Sequence, residues 1–198
     1  GEVEVLRGGG VRLKKVAVEL NLDEKIQLNK EEKERIAKYA ASLIYPHDII
    51  FLDPSSLNYL MVDYINFEDV TVVTNSVAIF NKLVKQDVKM VLVGGDVKAM
   101  TCSCVGPIAE QMISDLRFSK SFLGANGMSL EKGLTNHDVR ERAIKKIAIE
   151  NSVSTYFLVD SSKYGVVTMY KVADIDECTI ITGKSHPDFS KLGNVIIA

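Results

Sequence analysis

The chain of 198 residues has no tryptophan, four prolines, three cysteines and little aromatic content, 7% in all. Three cysteines, an odd number in a chain this long, do not build a disulfide framework, so the reducing cytoplasm is the expected compartment. Charge of one sign is also missing. Twenty-four Lys and Arg face 26 Asp and Glu, for a net charge of −2, which leaves no global field for gripping a phosphate backbone. Contact with DNA, if it occurs, is expected outside these residues. Long apolar runs are absent too: Ile49-Ile50-Phe51-Leu52 and Met90-Val91-Leu92-Val93 stop after four residues, whereas a spanning helix needs roughly 20. No membrane segment is expected, and no basic, apolar and small-residue series of a secretory signal opens the chain.

What the chain does have is alternation. Residues 1–30 carry the flexible triplet Gly8-Gly9-Gly10 and no sustained period, and are read as a linker and edge segment. From residue 31 onward one continuous domain, 31–198, is expected. Ile36, Ala40, Leu43 and Ile44 recur at helical spacing over 31–45, with Lys33, Glu34 and Lys38 on the polar side. Strands follow at 48–53, 70–74, 89–93, 121–124 and 155–159, and helices at 56–65, 77–85, 107–116 and 139–150. Strand and helix in turn every 20 to 25 residues indicate an α/β fold, a mainly parallel sheet with helices on both faces. The last helix is expected to bury Val139, Ala143 and Ile147, and strand 155–159 to close the series.

In such sheets ligands bind beyond the carboxyl ends of the strands. The residues there are small, hydroxylic, amide or charged: Asp53-Pro54-Ser55-Ser56, Thr74-Asn75-Ser76, Gly94-Gly95-Asp96, Gly124-Ala125-Asn126-Gly127 and Asp160-Ser161-Ser162-Lys163. Ser55 and Ser56 fit a phosphate cradle at a helix start and equally fit an N-cap. Ser76 has the same two readings. Glu141 and Lys145 are either an i,i+4 surface ion pair or a ligand-facing pair. Lys163 is either a cation for the ligand or a solvated turn lysine. Cys102-Ser103-Cys104 has no second ligand pair, and His47, His137 and His186 are scattered, so neither a metal nor a cofactor is expected. Nucleophile-elbow and dinucleotide fingerprints are missing, and these loops read as a binding site with no catalytic residue.

The order of these motifs resembles the effector-binding domain of the DeoR family of bacterial transcriptional regulators. The resemblance runs through the Gly8–Gly10 joint, Ile49 to Asp53, Val73 to Ser76, Gly94-Gly95, Phe122 to Gly127, Gly133-Leu134-Thr135, Glu141 with Lys145, and Asp160 to Lys163. It implies a fold akin to ribose-5-phosphate isomerase, glucosamine-6-phosphate deaminase and CoA transferases. It also implies a repressor role, in which a phosphorylated sugar intermediate alters DNA binding by a winged helix-turn-helix domain absent from these residues. The candidate ligand-binding set is Asp53, Ser55, Ser56, Asn58, Thr74, Asn75, Ser76, Gly94, Gly95, Asn126, Gly127, Thr135, Glu141, Lys145 and Lys163. Phosphate is expected at residues 53–58, 74–76 and 94–95, helped by Lys145 and Lys163, and sugar hydroxyls at Asp53, Asn126, Thr135 and Glu141. A homo-oligomer is expected, because helix-turn-helix regulators read paired half-sites.

Two departures from the family pattern stand out. Asp53 to Asn58 replaces an Asp-Ser-Gly-Ser-Thr-Thr loop, losing a glycine and two threonines, and Asn126 stands where an acidic residue is common. A neutral amide cannot serve as an acid or base, which weighs against the alternative of a sugar-phosphate isomerase-like enzyme. A structural oligomerisation domain with an unused pocket is the third reading.

Overall fold

The structure, a computed structural model, describes residues 3–5, 11–13 and 20–198. The Gly8–Gly10 joint lies outside the described residues. The chain begins with β1 (Val3–Val5), paired antiparallel with β2 (Val11–Leu13). Next come α1 (Leu22–Gln27), α2 (Lys30–Ala41), β3 (Ile49–Leu52), α3 (Ser56–Met61), β4 (Thr71–Thr74), α4 (Val77–Leu83) and β5 (Lys89–Leu92). A hairpin of β6 (Asp96–Lys98) and β7 (Ser103–Val105) leads to α5 (Pro107–Ser114) and β8 (Phe118–Gly124). The remainder is β9 (Gly127–Ser129), β10 (Gly133–Asn136), α6 (Val139–Glu150), β11 (Ser152–Val159), β12 (Tyr170–Ala173), β13 (Thr179–Thr182) and β14 (Val195–Ile197).

Seven of these strands form one parallel sheet in the order β14-β13-β11-β8-β3-β4-β5. Alternate residues feed two cores. Phe51, Leu123, Phe157 and Ile180 pack with Ile113 of α5 and Ile144 and Ala148 of α6. Ile50, Leu52, Phe122, Leu158 and Ile181 pack with Ile36 of α2, Leu57 and Leu60 of α3 and Ile79 of α4. The expected α/β architecture with helices on both faces is what forms. A smaller antiparallel sheet, β12-β10-β9, flanks it.

The structure departs from the sequence reading at several elements. Strand 155–159 does not close the series: β13 and β14 extend the sheet beyond it, and their three- and four-residue runs between polar turns have no helix between them to mark a crossover. Residues 20–30 include α1, held by a capping box in which Glu24 N–H donates to Asn21 Oδ1 and Asn21 N–H donates to Glu24 Oε2, each at 2.9 Å. Helix α2 ends at Ala41, four residues early, and tightens into turns through Leu43 N–H to Ala40 O and Ile44 N–H to Ala41 O; the residue before Pro46 resists the helical region. Finally, Lys33 lies on the buried side of α2, at 2% exposure, beside buried Glu32.

Candidate functional site

Four neighbouring strands bring their carboxyl ends together: Asp160 follows β11, Gly124 ends β8, Asp53 follows β3 and Asn75 follows β4. Above them lies a cleft enclosing about 740 Å3, its open mouth included. One wall is α6, and the roof carries Lys25 and Leu28 from α1 and its C-terminal cap.

At the centre is Asp53, 1% exposed. Its Oδ1 accepts from Ser55 N–H at 3.0 Å and Asn58 Nδ2 at 2.8 Å. Its Oδ2 accepts from Gly124 N–H at 2.8 Å and pairs with the Lys145 ammonium. Lys145 also donates to Gly124 O at 2.8 Å. Four donors therefore saturate this carboxylate, and the close approach of strand β8 leaves no room for a side chain at Gly124, where a Cβ would sit 2.5 Å from the Ser55 Cβ.

Helix α6 reaches the cleft with its buried face, which is Glu141, Ile144, Lys145 and Ala148. This corrects the expected apolar stripe, since Val139 is exposed. The two charges can lie inward because each finds its own partner elsewhere. Glu141 accepts from Thr101 Oγ1 at 2.8 Å, Lys98 Nζ at 3.2 Å and Asn136 Nδ2 at 3.1 Å. Glu141 and Lys145 thus do not form the surface pair that their spacing allows. The start of α6 is fixed by Asp138, which caps it through Arg140 N–H at 2.8 Å. The Arg140 side chain holds the Asp138 carboxyl down at about 2.

Beside β11 the charges change sign. Asp160 Oδ1 accepts from Asn29 Nδ2 at 2.9 Å and Ser162 N–H at 3.0 Å, and Lys33 lies 3.9 Å from Oδ2. Burial alone would push the Asp160 carboxyl up, but these hydrogen bonds and the Lys33 and Lys163 charges hold it below the ordinary range. Burial lowers Lys33 to about 8, with Lys163 and Lys25 adding repulsion and Asp160 opposing both. The Lys33 ammonium donates to Lys25 O, tying α2 to α1.

Of the residues singled out from the sequence, Asp53, Ser55, Ser56, Asn75, Asn126, Glu141, Lys145 and Lys163 line the cleft. The other seven do not, and most have visible structural work. Asn58 Nδ2 bridges Asp53 to Phe122 O, Thr74 Oγ1 donates to Leu52 O, and Ser76 caps α4. Ser55 likewise caps α3, with its Oγ accepting from Asn58 N–H at 3.2 Å. Gly95 (φ 144°) packs under Val105 O and Ala109, whereas Gly94 meets open space. Gly127 packs against Val166 O, and Thr135 Oγ1 donates to Gly127 O and accepts from Thr168 N–H.

Sequence reasoning missed Lys25, Leu28, Lys33, Thr101, Asn136 and Asp160 as lining residues. Asp160 stood in a motif already noted. Lys33 sits beside Glu32 in a helix whose polar side looks solvated, so nothing local marks it. Among the described residues no group of His, Cys, Asp and Glu could hold a metal, and no helix is long and apolar enough to cross a membrane.

Residues 28–184 match the family described as the DeoR C terminal sensor domain. The chain belongs to that family. This DeoR-type domain is 35% identical to the HTH-type transcriptional regulator FruR of Bacillus subtilis, over 92% of this chain and 73% of that protein. It is 33% identical to the HTH-type transcriptional regulator IolR of the same organism, over 95% and 76%. It is 37% identical to a lactose phosphotransferase system repressor of Staphylococcus epidermidis, over 68% and 55%. Among solved structures, eIF2B delta from Chaetomium thermophilum aligns with a TM-score of 0.56 at 14% identity, covering 80% of this chain and 57% of that one. Ribose 5-phosphate isomerase of Methanocaldococcus jannaschii aligns at 0.49 and 17%, covering 69% and 55%. The chain spans little more than half of those two structures, and the first likeness shows the fold alone.

Proposed function

We propose that this domain is the effector sensor of a bacterial transcriptional repressor. It binds a phosphorylated sugar intermediate in the cleft, and occupancy alters DNA binding by a helix-turn-helix domain carried elsewhere in the polypeptide. The observation that carries this reading is the chemistry of the cleft wall. Lys25, Lys33, Lys145 and Lys163 face it together with Asp53, Glu141 and Asp160, so cations outnumber anions and suit a dianionic group. Buried amides beside them suit hydroxyls. The relatives' names, two HTH-type regulators and one phosphotransferase system repressor, agree with a regulatory role.

No catalysis belongs to this reading. The lone pairs of Asp53 are taken by four donors, and Glu141 accepts three hydrogen bonds, one of them from the Lys98 ammonium, so neither carboxylate is held as a free base. The working protein is a cytoplasmic homo-oligomer, as paired operator half-sites require.

Thermal melts with hexose and pentose mono- and bisphosphates test the proposal. A ligand at 100 times its Kd stabilises by about 2.7 kcal/mol, which for a domain of this size raises the melting temperature by about 5–10 °C. If no phosphosugar shifts the melt, the sensor reading fails. Turnover of an aldose phosphate to its ketose would replace it with an enzyme.

A further inference from the structure

Resting on the effector-binding reading above, we infer that the cleft has a fixed direction: the ligand lies with its anionic group between Lys33 and Lys163 beside β11, and with its hydroxyl-bearing end on Asn75 and Asn136 beside β4 and β10. This retains Lys163 from the arrangement expected from the loop sequences but moves the phosphate away from residues 53–58, 74–76 and 94–95, and away from Lys145.

The hydroxyl end is defined by two acceptors that nothing satisfies. Asn75 is 1% and Asn136 3% exposed, and both line the cleft. Their amide orientations are set, because Asn75 Nδ2 donates to Cys104 O at 2.8 Å and Asn136 Nδ2 donates to Glu141 Oε2 at 3.1 Å. Each Oδ1 is consequently turned away from those partners, and each is buried without one. A buried acceptor left alone is costly and rare, and only a donor can satisfy it. Phosphate oxygens are acceptors at neutral pH, so a phosphate set there would add repulsion, which the neighbouring Glu141 carboxylate would increase. Hydroxyl groups donate, and fit.

The anion end follows from charge and from the sheet order. Lys33 and Lys163 both line the cleft here, and Lys33 Nζ already lies 3.9 Å from Asp160 Oδ2. Burial first, then the Lys163 and Lys25 charges, lower the Lys33 ammonium, while Asp160 and Glu32 oppose them. No hydrogen bond or ion pair of the Lys163 ammonium occurs among the described residues, so Lys163 is the cation at this end with capacity for an incoming anion. Asp160 and Asn75 leave strands β11 and β4, which are separated by β8 and β3. Three interstrand steps amount to about 14 Å, a span for an extended phosphorylated monosaccharide and too long for phosphate alone. The middle of that span, Asp53 with Lys145, is already neutralised internally and needs no ligand charge.

The test uses calorimetric titration of the intact chain with hexose and pentose phosphates, the same sugars without phosphate, and inorganic phosphate. Lys163→Ala should weaken the phosphorylated probe about tenfold to a hundredfold, as loss of a charge-assisted hydrogen bond does, and abolish binding of inorganic phosphate. An analogue lacking a hydroxyl at the end remote from phosphate should bind the unaltered protein about tenfold more weakly, a ligand-side change that cannot disturb folding. If Lys163→Ala leaves the phosphosugar affinity unchanged while Ser56→Ala lowers it, the direction is wrong and the sensor reading survives. If only inorganic phosphate binds, and through Lys163, the anion end stands and the sensor reading falls. If no probe binds, both fall.

Discussion

Replacing Lys145 with methionine isolates the central interaction of the cleft. The substitution keeps most of the aliphatic stem and removes the charge paired with Asp53. Asp53 keeps three neutral donors, from Ser55 N–H, Asn58 Nδ2 and Gly124 N–H, but at 1% exposure it loses its paired cation. Gly124 O loses its donor as well. Removing one partner of a buried pair costs about 3–5 kcal/mol because the remaining charge is stranded. At 2–4 °C per kcal/mol for a domain of this size, that is a fall of about 6–20 °C in melting temperature. Pairing Lys145→Met with Asp53→Asn should recover part of the loss, since the amide oxygen still accepts from the backbone and carries no charge to strand. Urea denaturation of the two single variants and the double variant, read as midpoints at constant slope, gives the coupling directly. A Lys145→Met variant within 1 kcal/mol of the unaltered protein would refute the account, because Asp53 would then be satisfied by the neutral donors alone.

Two further outcomes are expected. Lys33 is lowered to about 8 by burial, below the ordinary lysine value of about 10.4, so between those values the unfolded chain holds more protons and the native state gains stability as pH rises. The unaltered protein should therefore become more stable relative to Lys33→Met from about pH 8 toward about pH 10, with a flat difference below; denaturant midpoints that show a constant or falling difference would contradict the placement of Lys33. Two glycines with the same apparent role should behave differently. A Cβ on Gly127 would meet Val166 O at 2.3 Å, and one on Gly94 would meet nothing within 4 Å. Gly127→Ala should cost about 1–3 kcal/mol by overpacking and Gly94→Ala close to nothing. Equal denaturation midpoints for the two would overturn the packing explanation of Gly127.

Much of the sheet is legible in sequence because its strands carry short runs such as Ile49 to Leu52, Val72-Val73 and Phe122-Leu123 that are apolar on both faces, and its helices carry 3.6-residue stripes. Where the stripe is broken by charge, reading fails. Val139, Ala143 and Ile147 look like the inner face of α6, yet Glu141 and Lys145 go inside, because Asp53 from β3 and Lys98 from β6 are waiting there. Similarly, Lys33 and Glu32 look solvated. They are buried because the loop after β11 supplies Asp160 to one and Ser161, which donates through N–H at 2.8 Å and Oγ at 2.6 Å, to the other. Periodicity reports hydrophobicity along one helix and contains nothing about partners that arrive from 43, 92 or 129 positions away.

The sequence by itself determined the α/β alternation, the membership in the DeoR sensor family, and the concentration of small and polar residues at the ends of strands. These depend on local patterns: apolar runs, turn residues and motif spacing. Only the tertiary structure decided which of the candidates share a cleft, that Thr74 and Ser76 are spent on backbone hydrogen bonds while Asn75 between them lines the cleft, and that Lys33 is buried beside Asp160. Those outcomes depend on strand order, and the sequence β11-β8-β3-β4 across the sheet is set by long-range packing that no segment encodes alone.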